Sequence, residues 1–276
     1  MTKAITGSDI DAESLTREIL SSGKYRNLGI PGATVLDLIN QAALQTDDLK
    51  TVRKLVKQKM HNLVAPYLGD ADYLQAQNSL NIAYGTNSPQ EVRKVCLQIL
   101  ASHASTRERI PILSEFYSAI FEETGNPQSI LDLACGLNPF SIPWMPASRE
   151  IRYHAYDIIE PRIRLINHFL QLNGMPQLAE TRDILVQPPT VKADVAFFFK
   201  EAHRFEQRQK GSTGTFLQSI QSKVILVSLP TINLAGSHSK LDQHRRLVYD
   251  SIGNFPWSVK EILFENEIVF CIRKGE

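Results

Sequence analysis

The chain of 276 residues has few cysteines, no long apolar run and almost no net charge. Cys96, Cys135 and Cys271 are odd in number and far apart, so we expect neither a disulfide framework nor a metal site. No stretch approaches the roughly 20 apolar residues that span a bilayer. The first residues lack the apolar segment of a signal peptide. The sequence therefore predicts a cytoplasmic monomer with no membrane partner.

Composition excludes global disorder, because 43% of the residues are hydrophobic and 21% are charged. The length allows one large core or two domains. A formal net charge of +1 does not by itself indicate a nucleic-acid-binding protein. Since net charge hides local patches, the charges have to be examined segment by segment.

The hydrophobic pattern changes near residue 105. Before it, apolar residues recur at helical spacing, and Ser14 and Ser88 are predicted to cap two of the helices. After it, short apolar runs alternate with helical segments, which indicates a parallel α/β sheet. The predicted strands are SILDLA, YHAYDI, ETRDIL, DVAFFF, KVILVSL, VKEILF and IVFCIR.

The last two strands have only residues 265–267 between them, too few for a crossover, so they form an antiparallel hairpin. A parallel sheet that ends in such a hairpin is typical of the class I, Rossmann-like, S-adenosylmethionine-dependent methyltransferase core. We therefore predict an α/β fold with two domains. An all-helical domain that binds RNA covers residues 1–105, and the methyltransferase domain covers residues 106–276.

The stretch LDLACGLNPF, residues 131–140, joins the first strand of this sheet to a helix start. Gly136 lacks a Cβ, so a ligand can approach the backbone there, and the N–H groups that follow suit a negative group. An ordinary turn that needs a positive φ explains the glycine equally well. Asp132 is open to two interpretations: it contacts the amino group of a cofactor, or it only braces the loop.

Two acids follow the next two strands. Asp157 stands 20–25 residues after the loop, where an acid accepts hydrogen bonds from a ribose diol. Asp183 is predicted at the end of the third strand, where it could accept from the exocyclic amine of adenine. Either acid alone could be a helix cap, but the pair beside a glycine turn indicates a nucleoside cofactor. The loop lacks G-x-G-x-x-G, so S-adenosylmethionine is favoured over NAD or FAD.

Four motifs together resemble the aminoglycoside-resistance methyltransferases that act on N7 of a guanine in 16S ribosomal RNA: HASTRER at residues 103–109, LDLACGLNPF, KYR at residues 24–26 and SLPT at residues 228–231. The resemblance covers nearly the whole chain. It implies transfer of a methyl group from S-adenosylmethionine to a decoding-site guanine of the 30S subunit, with aminoglycoside resistance as the result.

The resemblance also implies roles for particular residues. Arg109 would pair with the methionine carboxylate, Ala134 and Gly136 would line the methionine end, and Asp157 would hold the ribose. Asp183 and Ile184 would frame the adenine. The pocket for methyl transfer would be lined by Lys200, Ser228, Pro230 and Thr231.

The chain departs from the family pattern beside the target base. After SLPT it has INLAGSHS, where the family has a basic residue and glycines, and after Lys200 it has EAHRFEQRQ in place of an apolar Leu-Pro stretch. Two alternatives therefore stay open. The protein could be a diverged methyltransferase that acts on another RNA or a small molecule, or it could be a relative that binds ribosomes or cofactor without methyl transfer.

Basic residues supply a predicted surface for 16S ribosomal RNA, although an exposed turn or a solvated helix face would look the same. They are Lys24, Arg26, Lys50, Arg53, Lys54, Lys57, Lys59, Arg204 and Arg208. Because they fall in both predicted domains, we expect them to clamp folded RNA. Guanine N7 carries a lone pair and no proton, so no catalytic base is predicted. Phe140, Trp144 and Phe199 are predicted to be core residues rather than a stacking platform for the base.

Overall fold

The computed structural model describes residues 11–65, 72–147, 150–231 and 240–275. The chain forms two compact units, Met1–Leu68 and Gly69–Glu276. The boundary predicted near residue 105 therefore falls inside the second unit, and the RNA-binding role assigned to residues 1–105 stays a prediction.

The first unit contains the helices Ala12–Ser21 (α1), Gly32–Ala43 (α2) and Leu49–Val64 (α3). Each helix buries one apolar face, formed by Leu15, Ile19, Val35, Leu38, Ile39, Val52, Val56 and Met60. The cap predicted for the first of these helices was wrong. Asp11, not Ser14, is the N-cap, and its carboxylate accepts a hydrogen bond from the backbone N–H of Ser14 at 2.9 Å.

The second unit opens with four helices, Tyr73–Gly85 (α4), Pro89–Ala101 (α5), Ala104–Arg107 (α6) and Leu113–Thr124 (α7). The predicted cap of α5 is confirmed, because the hydroxyl of Ser88 accepts from the N–H of Glu91 at 3.4 Å. Leu80 of α4 and Leu100 of α5 belong to the same buried core as the sheet. A helical pattern therefore does not mark the domain to which these two helices belong.

The sheet has seven strands: Ser129–Leu133 (β1), Arg152–Asp157 (β2), Ala179–Thr181 (β3), Ala193–Phe199 (β4), Ser222–Pro230 (β5), Ser258–Leu263 (β6) and Glu267–Arg273 (β7). Their order is β3-β2-β1-β4-β5-β7-β6. The first five strands pair in parallel, and β7 runs antiparallel to both β5 and β6. The predicted fold class and the C-terminal hairpin are confirmed.

Helices cover both faces of the sheet, as a largely parallel sheet requires. They continue with Glu160–Leu172 (α8), Ala202–Arg208 (α9), Ser212–Ser219 (α10) and Leu241–Ile252 (α11). One core joins the sheet to α4, α5, α7 and α8 around Phe116 and Phe169. The other joins it to α9, α10 and α11 around Phe205 and Phe216. No helix in the described ranges is long and apolar enough to cross a membrane.

The third strand is shorter than predicted, since it ends at Thr181 and Asp183 lies beyond it. Pairing stops there because β2 ends at Asp157, the partner of Thr181. The backbone N–H of Leu185 then donates to the Asp183 carboxylate at 3.1 Å, which turns the chain. Because β1 to β5 are parallel, their carboxyl ends share one edge of the sheet, the usual place for a ligand in such folds.

Candidate functional site

The loop after β1 has the backbone geometry of a ligand site. Ala134 and Gly136 both have left-handed φ angles, of 52° and 53°, and an alanine rarely accepts that conformation. Apart from Gly136 itself and its two chain neighbours, no residue has an atom within 4 Å of a Cβ built at this position. Gly136 is therefore required for its φ angle, and the space beside it is open to a ligand.

Asp157 ends β2 directly beside this loop, and three donors hold its carboxylate. Oδ2 accepts from the backbone N–H of Gly136 at 3.0 Å and from Nη1 of Arg162 at 2.9 Å. Oδ1 accepts from the N–H of Ile159 at 2.9 Å. Each carboxylate oxygen has two lone pairs, so these bonds leave Oδ1 able to accept one more donor.

Asp183 is buried and paired, which its sequence position did not indicate. Nη1 of Arg208 donates to its Oδ2 at 2.6 Å, and the side chain of Arg208 is only 12% exposed. Ile184 packs in the same apolar core as Phe205 of α9. Arg208 therefore holds Asp183, so it offers less to an RNA phosphate than the sequence indicated.

Arg109 lies at the centre of a second buried group of polar side chains. Its Nε donates to Oε2 of Glu267 at 3.1 Å, its Nη2 donates to Oε1 of the same carboxylate, and its Nη1 donates to Oδ1 of Asn138 at 2.9 Å. The rings of Phe116 and Phe199 lie 4.2 and 4.7 Å from the guanidinium carbon. These contacts hold the guanidinium in one orientation.

Glu267 opens β7 and is fully buried. Burial alone would raise the pKa of Glu267, but the charges of Arg109 and Lys200 outweigh that effect and hold the pKa below its ordinary value. The carboxylate is therefore ionised at neutral pH. Sequence reasoning missed Glu267, although an acid at the start of the apolar strand EIVFCIR is a signal that could have found it.

Lys200 follows β4 with a left-handed φ of 57°. Its ammonium group donates to the carbonyl of Ser105 at 3.1 Å and to Oε2 of Glu108 at 2.8 Å, and it lies 3.4 Å from Oε2 of Glu267. Three acceptors match its three N–H donors. Lys200 therefore ties the segment 105–108 to the hairpin.

The other predicted pocket residues lie at the end of β5. The hydroxyl of Ser228 accepts from Nη2 of Arg109 at 3.4 Å. The carbonyl of Pro230 lies 2.9 Å from Nδ1 of His244. The hydroxyl of Thr231 donates to the carbonyl of Glu265 at 3.1 Å. The divergent segment 232–239 lies outside the described residues.

The three candidate stacking residues are core residues or close to it, as predicted. Phe140 is fully buried and lies 4.9 Å from the ring of Phe169. Phe199 is buried beside Phe197. Trp144 is half-buried, with the guanidinium of Arg93 5.8 Å from its ring. None of these three rings forms an open platform for a base.

The basic residues of the first unit differ in their exposure and in whether they have hydrogen-bond or ion-pair partners. Lys24 and Arg26 are exposed in the turn after α1, and Nζ of Lys24 lies 2.6 Å from Nδ1 of His61. Arg53 and Lys57 pair with Glu18 at 2.8 and 3.7 Å, and Lys59 donates to Gln41 at 2.9 Å. Lys50 and Lys54 are exposed and take part in none of the ion pairs found in the described ranges.

In the second unit, Glu201 is a largely covered acid that sequence reasoning did not assign to the site. It directly follows Lys200, its side chain is 14% exposed, and Arg204 lies 3.7 Å away. Burial raises the pKa of Glu201 to about 7, against the charge of Arg204, and the nearby charges of Asp157 and Asp183 raise it further. An acid whose pKa is raised in the folded state destabilises the fold once it ionises.

We expect Glu201→Gln to stabilise the protein at pH 8 by about 1–3 kcal/mol and to have no such effect near pH 4.5. The wild type loses stability as the pH rises from about 4.5 to about 7, whereas glutamine does not titrate. Urea unfolding at the two pH values measures the difference. Glu206→Gln is the control, because bonds from Gly211 and Thr213 lower the pKa of Glu206 despite its burial. A gain for Glu201→Gln that is equal at both pH values would contradict this account.

The fold and the strand-end site define a class I methyltransferase that uses S-adenosylmethionine. A family model described as "Ribosomal RNA methyltransferase (FmrO)" matches residues 21–271. The chain belongs to this family of ribosomal RNA methyltransferases.

Similar proteins agree with this family. A 16S rRNA (guanine(1405)-N(7))-methyltransferase of Micromonospora rosea is 28% identical over 273 residues, 98% of each chain. One of the same description from Proteus mirabilis is 26% identical over 95% of this chain and 97% of its own. The structure of the 16S rRNA methyltransferase RmtF in complex with S-adenosyl-L-homocysteine superposes with a TM-score of 0.78 at 23% identity, over 98% of this chain and 100% of that one. At that identity it supports the fold alone.

Proposed function

We propose that this protein transfers the methyl group of S-adenosylmethionine to N7 of a decoding-site guanine in 16S ribosomal RNA, and that it thereby confers aminoglycoside resistance. The observation that carries the proposal is the family match over residues 21–271. The relatives at 26–28% identity are 16S rRNA (guanine(1405)-N(7))-methyltransferases by description, and both chains align over almost their full lengths.

The cofactor site is proposed from three places on the sheet edge. The open side of Gly136, next to Ala134, would receive the methionine end. The available lone pair on Oδ1 of Asp157 would accept from a ribose hydroxyl. Asp183 and the buried Ile184 would frame the adenine, with Asp183 already held by Arg208.

Arg109 is proposed to meet the methionine carboxylate through a single donor. A guanidinium has five N–H groups, and four of them are used by Glu267, Asn138 and Ser228. The second N–H of Nη1 is not used by any hydrogen bond found in the described ranges. In our proposal the contact with the methionine carboxylate therefore uses this one donor.

The chemistry requires positioning more than proton transfer. Guanine N7 has a lone pair and no proton, and the sulfonium of the cofactor supplies the electrophile when it is bound. The protein has to hold N7 about 3–3.5 Å from the methyl carbon and in line with the sulfur. Lys200 supports this view, because its three donors are engaged by Ser105, Glu108 and Glu267. In our proposal Lys200 shapes the pocket with Ser228, Pro230 and Thr231.

The substrate is proposed to be 16S ribosomal RNA within the assembled 30S subunit. Structured RNA is recognised by shape and by its phosphates, and each neutralised phosphate adds a salt-dependent contribution. The exposed cations of the first unit, Lys24, Arg26, Lys50 and Lys54, are the best candidates for such contacts. Arg53, Lys57 and Lys59, which have partners within the unit, would contribute less.

We expect the double variant Lys50→Glu with Lys54→Glu to weaken binding to 30S subunits. The negative slope of log K against log salt should become shallower by about two. Cofactor affinity should not change. Lys192→Glu with Lys223→Glu is the matched control, since both lysines are exposed near the amino ends of β4 and β5. Filter binding at several salt concentrations measures the effect. Equal losses for the two double variants would exclude a specific contact by α3.

The proposed activity is tested by incubating the protein with labelled S-adenosylmethionine in two separate reactions. One contains purified 30S subunits and the other contains naked 16S RNA. Primer extension after chemical cleavage at 7-methylguanine then maps the modified nucleotide. We expect one modified guanine at the decoding site, on subunits only, and growth of an expressing susceptible strain on aminoglycosides. Cofactor binding without transfer to any RNA would instead indicate a relative that does not methylate.

A further inference from the structure

A line of buried polar side chains leads from β2 to Arg109. The hydroxyl of Tyr153 donates to Oδ2 of Asp132 at 2.6 Å, and Nδ2 of Asn138 donates to the same oxygen at 3.0 Å. Oδ1 of Asn138 accepts from Nη1 of Arg109 at 2.9 Å and from the hydroxyl of Tyr117 at 2.7 Å. Each of these five residues is at most 3% exposed.

The charge of Asp132 decides which way the amide of Asn138 points. An ionised carboxylate only accepts hydrogen bonds, so the NH₂ group of Asn138 faces Asp132 and its oxygen faces Arg109. The reverse orientation would set the amide oxygen against the carboxylate and the NH₂ group against the guanidinium. Both hydrogen bonds would then be lost. Two acceptors would face each other and two donors would face each other, which is costly in an apolar core.

Asn138 in turn decides which donor of Arg109 stays available. It occupies one N–H of Nη1, while Glu267 and Ser228 occupy Nε and Nη2. The unused donor is therefore the second N–H of Nη1, the same nitrogen that contacts Asn138, two residues after the loop glycine Gly136. Asn138 also belongs to that loop, since its N–H donates to the carbonyl of Cys135 at 2.9 Å.

We propose that Asp132 and Tyr153 are positioning residues for cofactor binding: they fix the amide of Asn138 and, through it, the one free donor of Arg109 that meets the methionine carboxylate. This inference rests on the role proposed above for Arg109. It also decides between the two interpretations of Asp132, because its bonds to Tyr153 and Asn138 make it a brace rather than a cofactor contact. Burial raises the pKa of Asp132 to about 6, against the hydrogen bonds from Tyr153 and Asn138, so the brace is ionised at pH 8.

The test compares two ligands that differ in the amino-acid end. S-adenosylhomocysteine has the carboxylate, and 5′-methylthioadenosine lacks it. At pH 8, Asp132→Asn should raise the Kd of S-adenosylhomocysteine about tenfold, because an amide at this position tolerates either orientation of Asn138. The Kd of methylthioadenosine should change less than about twofold. Isothermal titration calorimetry measures both.

Two further variants make the result decisive. Tyr153→Phe keeps the charge of Asp132 and removes one donor, so it should show the same ligand selectivity with a smaller loss, even if Asp132→Asn folds poorly. Asp194→Asn is the control, because Asp194 is an exposed acid that accepts from Gln128 and Ser129 at the amino end of β4. Equal weakening of both ligands, or no weakening of either, would overturn the proposal. Failure of the wild type to bind either ligand would instead overturn the cofactor site on which it rests.

Discussion

Replacing Glu267 with glutamine should lower the free energy of unfolding by about 3–5 kcal/mol. Glu267 is the shared counter-charge of Arg109 and Lys200, whose side chains are only 2% and 7% exposed. A neutral amide leaves these two buried cations without the carboxylate that they share. For a chain of this size such a loss lowers the melting temperature by roughly 10 °C. Thermal and urea unfolding measure it.

Glu261→Gln is the matched control, because it makes the same change in the same hairpin. Glu261 lies on β6 and pairs with Arg245 at 2.7 Å, with side chains 24% and 37% exposed. Exposed pairs contribute about 0–1 kcal/mol, so this variant should unfold almost like the wild type. If both variants lose the same stability, burial of the Arg109–Glu267 pair does not have the importance that we assign to it.

Replacing Asp157 with alanine should weaken cofactor binding about tenfold or more and also destabilise the fold by about 3–5 kcal/mol. The first effect follows from the ribose contact that we propose for Oδ1. The second follows because the carboxylate forms a buried ion pair with Arg162 and accepts from the N–H groups of Gly136 and Ile159. Calorimetry with S-adenosylhomocysteine, well below the melting temperature of the variant, separates the two effects.

Asp194→Ala is the control here, since it removes an exposed acid from the opposite edge of the sheet. It should leave cofactor affinity unchanged. An Asp157→Ala protein that is destabilised yet binds the cofactor normally would show that Asp157 only organises the loop. Unchanged stability with weak binding would contradict the structural role of the Arg162 pair.

Local patterns were sufficient for the strands and the order of the elements. Six of the seven predicted runs match strands closely, because a buried strand of a covered sheet has to be largely apolar. The third run, ETRDIL, shares only Glu180 and Thr181 with β3. The three residues between the last two strands allowed only a hairpin. Short-range capping was less certain: Ser88 was predicted correctly, whereas Asp11 takes the role predicted for Ser14. Both residue types cap helices well, and the choice depends on where the first turn begins.

The domain boundary could not be predicted because α4 and α5 bury residues at helical spacing, as the helices of the first unit do. A helical period indicates that one face of a helix is buried, but it does not indicate which part of the protein covers that face. Leu80 and Leu100 are buried against the sheet unit. The compact units consequently divide between residues 68 and 69.

The sequence by itself determined the class of fold, the glycine turn after β1, the acid that ends β2 and the acid that follows β3, because these depend on residue types within a few positions of each other. Tertiary structure decided the partners of the charged groups. Arg109 and Glu267 are 158 positions apart, and Asp183 and Arg208 are 25 apart. Each pair forms because burying one charge without its counter-charge costs more than the fold can tolerate. The sequence around either residue of a pair does not predict which residue is its partner.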